Sequence, residues 1–274
     1  MANILEGQIA VERQSETPGG SVQDMPRDDI PERADPAPCE SDGETPYIDA
    51  DGAAVGEGGA QSAYLFSRQL TVLSDPTGVH SSAVGGLRNY LNQQHVRAGR
   101  RSLAVCSVGS DVDRTLIAAN LAVTMAQAGA STVLVDANFR DSELNRFFIA
   151  PEHQPGLRAY LDGTVDDPAA IVRSEVIPNL SLVHAGPAPS DPQGLLASQR
   201  FEQLMNGLMR NFDFTIVDCP AANGSSDVRR IASVLRYALI VVKRDLTYVD
   251  DVKRLIEDLT ADRVSVVGSF LNVG

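Results

Sequence analysis

The sequence predicts an α/β fold: a doubly wound, mainly parallel sheet with helices on both faces, preceded by a disordered acidic tail. Three observations carry this prediction. From Ser102 onward, short β-rich runs alternate with segments of helical period, the pattern of a parallel sheet covered on both sides. The 274 residues are 43% hydrophobic and 22% charged, which suits one large or two small soluble domains. Residues 1–60 break from that composition, holding fourteen of the 36 acidic residues, three of the 23 basic ones, six of the 15 prolines and eight of the 22 glycines. A segment of this kind buries too little apolar surface to offset its ordering entropy. The tail is therefore placed at residues 1–60 and the domain at residues 61–274.

Each element follows from its local pattern. Ser102–Ser107 (SLAVCS) reads as a buried strand, and Thr115–Gly129 as a helix with Ile117, Leu121 and Met125 on one stripe and Gly129 near its end. Thr132–Asp136 (TVLVD) is the next strand, and Asn179–His184, Phe212–Asp218, Ala238–Val242 and Val264–Phe270 supply four more. Helical periods fill the intervals at Gln199–Arg210, Asp227–Leu235 and Tyr248–Thr260. Within the tail, Asn3–Val11 (NILEGQIAV) alone has enough apolar residues to fold on a partner, although Gly7 interrupts any helix.

Charge and composition exclude several classes. A formal charge of -13 argues against coating nucleic acid by phosphate neutralisation. No basic segment precedes a hydrophobic run, and no apolar stretch approaches the roughly 18 residues of a membrane span. The expectation is a cytoplasmic chain without a direct span. The three cysteines, Cys39, Cys106 and Cys219, are odd in number and lack metal-site spacing, which fits reduced thiols.

In parallel sheets ligands sit at the carboxyl ends of strands, so three strand exits matter: VCSVGSDVDRT, VLVDANFR and TIVDCPAAN. The last two end an apolar run in Asp136 and Asp218, positions suited to holding a metal ion or orienting water. A strand-end Asp is also a common helix cap. Cys219 reads as a small buried thiol rather than a nucleophile, and His184 as a strand-end residue. PAPSDP before the next helix reads as a rigid connector.

At these residues the chain resembles the deviant Walker-A P-loop ATPases of MinD/ParA type. More narrowly, it resembles the tyrosine-autokinase (BY-kinase) module of bacterial capsule and exopolysaccharide systems. The likeness covers roughly Leu70 to Asn272. AANLAVTMAQAG, DANFRDSELNRFF, PGLRAYLDG, HAGPAPSDPQGLLAS, FDFTIVDCP and ALIVVKR occur in the family's order. Gly186–Ser198 is similar to the family's G-x-x-P-x-N-P-x-E-L-L-x-S segment, which separates this group from the division and partition ATPases.

The resemblance implies a nucleotide site on Gly109, Ser110, Asp111, Val112, Asp113, Arg114 and Thr115, with Thr115, Asp136 and Asp218 for Mg²⁺ if a metal binds. Aligning AANLA puts Thr115 on the Mg²⁺ hydroxyl, Arg114 on the P-loop lysine and Asp113 on the preceding glycine. Gly109 then falls on the second, signature lysine, with Ser110 and Asp111 on the glycines after it. Such a loop needs glycines so that backbone N–H groups approach phosphates. One carboxylate about 4 Å from a phosphate charge costs about 4 kcal/mol at an effective dielectric near 20, roughly three decades of affinity. Arginine also sets a wide fork where a compact ammonium fits, and Asn138 stands where the family has an acid. The expectation is a degenerate site with no confident catalytic residue and no resident cofactor, its Arg114 held by Asp113, Asp136 or Asp218. ATP and Mg²⁺ bind only if the site still functions.

Two further departures bear on kinase activity. The family's E-x-x-R-x-x-R assembly motif falls on Ser82, Gly85 and Arg88, which weakens that helix as a route to homo-oligomers. The tyrosine cluster that follows the family's last strand is absent before Gly274, and the six tyrosines are scattered. The resemblance implies a cytoplasmic, pseudokinase-type regulator of exopolysaccharide synthesis or export, working with an inner-membrane polysaccharide co-polymerase or chain-length regulator. An active tyrosine autokinase or ATPase is the alternative.

Overall fold

The computed structural model describes residues 64–150, 155–223 and 225–273, together with two short strands further upstream. Those strands are β1 (Tyr47–Ile48) and β2 (Ala54–Val55), and with β3 (Leu65–Ser67) and β6 (Phe148–Ile149) they form a small sheet of order β2-β1-β3-β6. Apart from these two strands, the tail expected over residues 1–60, including Asn3–Val11, lies outside the described residues.

The main sheet contains β4 (Ser102–Ser107), β5 (Thr132–Asp136), β7 (Arg173–Ile177), β8 (Leu180–Val183), β9 (Phe214–Ala221), β10 (Tyr237–Lys243) and β11 (Ser265–Asn272). Its order is β11-β10-β4-β9-β5-β8-β7, and all neighbours run parallel except the β7–β8 edge pair. β4 and β5 are the segments the sequence marks as strands, to the residue. The chain moves to one side of β4 through β5 and β8, returns to place β9 beside β4, and then leaves on the other side through β10. That reversal opens a crevice at the exits of β4 and β9.

Alternation along the strands divides the core in two. Leu103, Val105, Leu134, Leu182, Ile216, Leu239 and Val241 face one layer, and Ala104, Cys106, Val133, Val135, Val183, Val217 and Ile240 the other. On the first face lie α1 (Thr71–Ser74), α2 (Val79–Gln94) and α3 (Arg114–Gln127), followed by α4 (Leu144–Phe147). α3 is apolar almost all round, and its residues from Arg114 to Ala126 are buried except Leu116, as expected of a helix enclosed on both sides. Its small residues Ala118, Ala119 and Ala122 are fully buried.

The second face carries α5 (Leu157–Leu161), α6 (Pro192–Leu196), α7 (Gln199–Asn211), α8 (Asp227–Leu235) and α9 (Val249–Ala261). Asp191 caps α6 through the Gly194 N–H with Pro192 in its first turn, so the PAPSDP stretch ends as a helix start. Ser198 caps α7 through the Phe201 N–H. Among the described residues, no helix is long and apolar enough to cross a membrane.

Candidate functional site

The β4 exit leads through residues 108–113 into α3. Gly109 is the loop's lone glycine, and the Ser107 hydroxyl donates to its carbonyl at 2.7 Å. Ser110 and Asp111 are exposed and bond to each other, 3.3 Å from Ser110 Oγ to Asp111 Oδ1. Val112 instead turns inward and is buried. Asp113, directly before α3, takes a left-handed backbone at φ 57° and ψ 33°. A glycine adopts that conformation freely, whereas an aspartate adopts it at some cost.

The side chains of Asp113 and Arg114 go separate ways. Asp113 accepts from Lys243 Nζ at 2.7 Å and from Asn272 Nδ2 at 3.0 Å. Arg114, 4% exposed, lies against the ends of β4 and β9, where its Nε donates to Asp218 Oδ1 at 2.7 Å and its Nη1 to Ser107 Oγ at 2.9 Å. Of the three carboxylates expected for Arg114, Asp218 is the one it pairs with. Thr115 Oγ1 donates to the other Asp218 oxygen at 2.6 Å. One buried carboxylate thus holds both residues that open α3.

Asp136 and Asp218 sit directly opposite each other across the parallel β5–β9 pair, and both are fully buried. Asp136 accepts from Ser142 Oγ at 2.6 Å and from the Asn138 N–H at 2.9 Å. Burial pushes its carboxyl up to about 7, the neighbouring Asp218 charge adds to the rise, and the two hydrogen bonds and Arg114 oppose it. Arg114 moves upward because the Asp218 carboxylate and its hydrogen bond outweigh the burial that works against the cation. Asn138 closes a turn by pairing its side chain with the Asp141 backbone.

The structure brings Ser107, Thr115, Arg114, Asp136 and Asp218 to one crevice and sends Asp111 to solvent. Sequence reading missed Ser107, Ser142, Lys243 and Asn272. Lys243 carried the same signal as the two aspartates, a charged residue ending an apolar strand run. Cys219 is buried 3.9 Å from the Cys106 sulfur; burial first, then that contact, raises its thiol well above the ordinary value. Such a thiol is inert at neutral pH. His184 directly follows β8 with neither ring nitrogen hydrogen-bonded, and burial followed by Arg173 lowers it to about 4. Among the described residues, no group of three or more His, Cys, Asp or Glu side chains is arranged to hold a metal ion.

Comparison with known proteins places this geometry. No family model matches the chain. It is 27% identical over 203 residues to the putative tyrosine-protein kinase CapB of Staphylococcus aureus, covering 74% of this chain and 88% of that protein. It is likewise 27% identical over 209 residues to the putative tyrosine-protein kinase EpsB of Ralstonia solanacearum, but spans only 27% of that longer chain. Among solved structures, the chimerical protein CapA2B2 superposes with a TM-score of 0.69 at 28% identity, covering 75% of this chain and 89% of that one. The septum site-determining protein MinD of Pyrococcus horikoshii, complexed with Mg-ADP, matches at a TM-score of 0.54 and 16% identity over 62% of this chain and 68% of that one, a likeness of fold alone. The chain is a homologue of proteins named bacterial tyrosine-protein kinases and has the MinD/ParA-like P-loop fold.

Proposed function

We propose that this chain is a cytoplasmic, catalytically inactive kinase-like partner of an inner-membrane polysaccharide co-polymerase or chain-length regulator. On this reading it regulates exopolysaccharide synthesis or export by occupying its partner rather than by phosphorylating it. The observation that carries the proposal is the closed set Ser107–Arg114–Asp218–Thr115, with donor distances of 2.9, 2.7 and 2.6 Å. A Mg-nucleotide requires a cation free for the terminal phosphates and a hydroxyl free for the metal. Here both groups are bound to Asp218, and Asp113 occupies a backbone position suited to glycine. These residues do not fit Mg-ATP as they stand, so no step is derived through it.

The same crevice supports a second reading, an active ATP-dependent tyrosine autokinase with an unusual loop, because Thr115, Asp136 and Asp218 still converge and the relatives are named kinases. Calorimetric titration of the full chain with Mg-ATP and Mg-ADP up to millimolar concentration separates the two, with an intact homologous kinase as control. A flat trace is expected. Binding at micromolar strength would reject the inactive reading and make Thr115, Asp136 and Asp218 the first residues to mutate.

A further inference from the structure

Nine basic residues of the domain, Arg114, Arg140, Arg146, Arg158, Arg200, Arg229, Lys243, Lys253 and Arg254, have a carboxylate partner. Among those for which the described residues show no carboxylate partner, Arg68, Arg88, Arg173, Arg210 and Arg230 are dispersed over other elements, whereas Arg97, Arg100, Arg101, Arg236 and Arg263 form a group, all but the half-buried Arg100 exposed. These five gather at the edge of the sheet opposite the crevice, where strands begin.

Register fixes their proximity. β10 pairs with β4 at Ala238↔Ala104 and with β11 at Tyr237↔Ser265, which sets Arg236 level with Ser102 and Val264. Arg101, Arg236 and Arg263 therefore head three adjacent strands, each about 4.8 Å from the next. The Ser265 N–H donates to the Arg236 carbonyl at 2.8 Å, and the Arg100 guanidinium lies 5.1 Å from the Tyr237 ring centroid. Arg236 and Arg263 both adopt left-handed backbones, φ 71° and 60°, where glycine or asparagine is less strained. Glu202 and Asp213 are the nearby exposed acids, and Asp213 already accepts from the Ser131 N–H at 3.1 Å.

We infer that this arginine row is the docking surface for the chain's own acidic N-terminal segment. Charge complementarity selects that occupant: residues 1–46, before β1, carry eleven acids and three bases, while the row offers cations with no carboxylate partner among the described residues. Covalent linkage keeps the segment at an effective concentration near millimolar, which favours it over a separate acidic partner or an anionic membrane. Reach is sufficient. Tyr64, downstream of β1 and β2, stacks on His184 toward the opposite edge of the sheet with ring centroids 6.4 Å apart. The 46 residues before β1 would span about 37 Å even as a random coil, against about 30 Å for a strand of β10's length combined with the four strand spacings from β8 to β10.

The sequence supplies the probe. Cys39 lies within the acidic segment, and the other two cysteines are fully buried, so a nitroxide maleimide attaches at Cys39 on the intact full-length chain. At low salt the amide resonances of Arg101, Arg236 and Arg263 are expected to lose at least half their intensity, while those of Lys243 and Asn272 keep theirs. The loss should reverse near 1 M salt, where the Debye length is about 3 Å, and in a variant combining Arg101→Glu, Arg236→Glu and Arg263→Glu. Unchanged intensities, or broadening that persists in the folded variant, would overturn the inference. If the variant fails to fold, the salt series on the unmutated chain decides in the same way. Sedimentation with phosphatidylglycerol vesicles that depends on these arginines, without broadening in solution, would assign the row to a membrane and also overturn it.

Discussion

At the scale of single residues, the crevice holds a charge arrangement that depends on pH. Arg114 and Asp218 neutralise each other, which leaves Asp136 as a carboxyl with no cation of its own beside a buried carboxylate. Burial first, and then the neighbouring Asp218 charge, hold its proton up to about 7 instead of the ordinary 3.8. A carboxyl whose folded value is raised binds more protons in the folded than in the unfolded state between those limits. Its neutral form thus favours folding fully below about pH 4, and that contribution is lost as the pH rises through about 7. Three units correspond to an order of 4 kcal/mol. Urea unfolding measured from pH 4 to 8 is expected to show stability falling across this window. In Asp136→Asn, which keeps the shape and removes the titration, the curve should be flatter and the protein more stable at pH 8. Equal slopes for the two chains would show that Asp136 does not titrate in this range.

At the scale of elements, the sequence was readable wherever one strong pattern ruled. β4, β5 and α8 match their expected limits, and α3 declared itself through a run of small and apolar residues interrupted at Asn120 and Thr124. β3 and β6 escaped because strands of three and two residues carry too few positions for a period to emerge, and β7 because three of its five residues, Arg173, Ser174 and Glu175, are polar on an edge strand. α2 escaped as an element of the folded core for a different reason. Its sequence VHSSAVGGLRNYLNQQ contains two adjacent glycines and two serines, poor helix formers, and it is held by burial of Val84, Leu87 and Leu91 against α3. Tertiary packing overrides propensity there. A Cβ added at Gly85 or Gly86 meets nothing within 4 Å, so each Gly→Ala change should stabilise by about 0.5–1 kcal/mol. The double variant is expected to melt several degrees higher by calorimetry, and an unchanged or lower midpoint would mean that α2 needs the glycines for something other than helix formation.

At the scale of the whole molecule, the scaffold that a P-loop fold uses to present its site is present, and the inactive reading turns on the loop between β4 and α3. The central sheet, the reversal beside β4, the enclosed α3 and the opposed Asp136 and Asp218 all persist. Most departures at the site lie between β4 and α3, with Asn138 outside that loop, and the site was only partly legible: the sequence exposed its register, but not that Lys243 and Asn272 at the ends of β10 and β11 would take up Asp113. If loss of nucleotide binding resides in the loop, then rebuilding the loop alone should restore it. The variant combines Gly109→Lys, Ser110→Gly, Asp111→Gly, Asp113→Gly and Arg114→Lys, so that the glycines expose backbone N–H groups and the slimmer lysine leaves Asp218 to Thr115. A ligand present at about 100 times its dissociation constant stabilises the folded state by about 2.7 kcal/mol, and each kcal/mol moves the midpoint of a domain this size by about 2–4 °C. Mg-ATP is therefore expected to raise the melting midpoint of the rebuilt chain by about 5–10 °C while leaving the unmodified chain unmoved. A rebuilt chain that folds and still ignores Mg-ATP would place the defect beyond the loop, at Asn138 and the Lys243–Asn272 pair, and the scaffold could no longer be regarded as preserved for its original ligand.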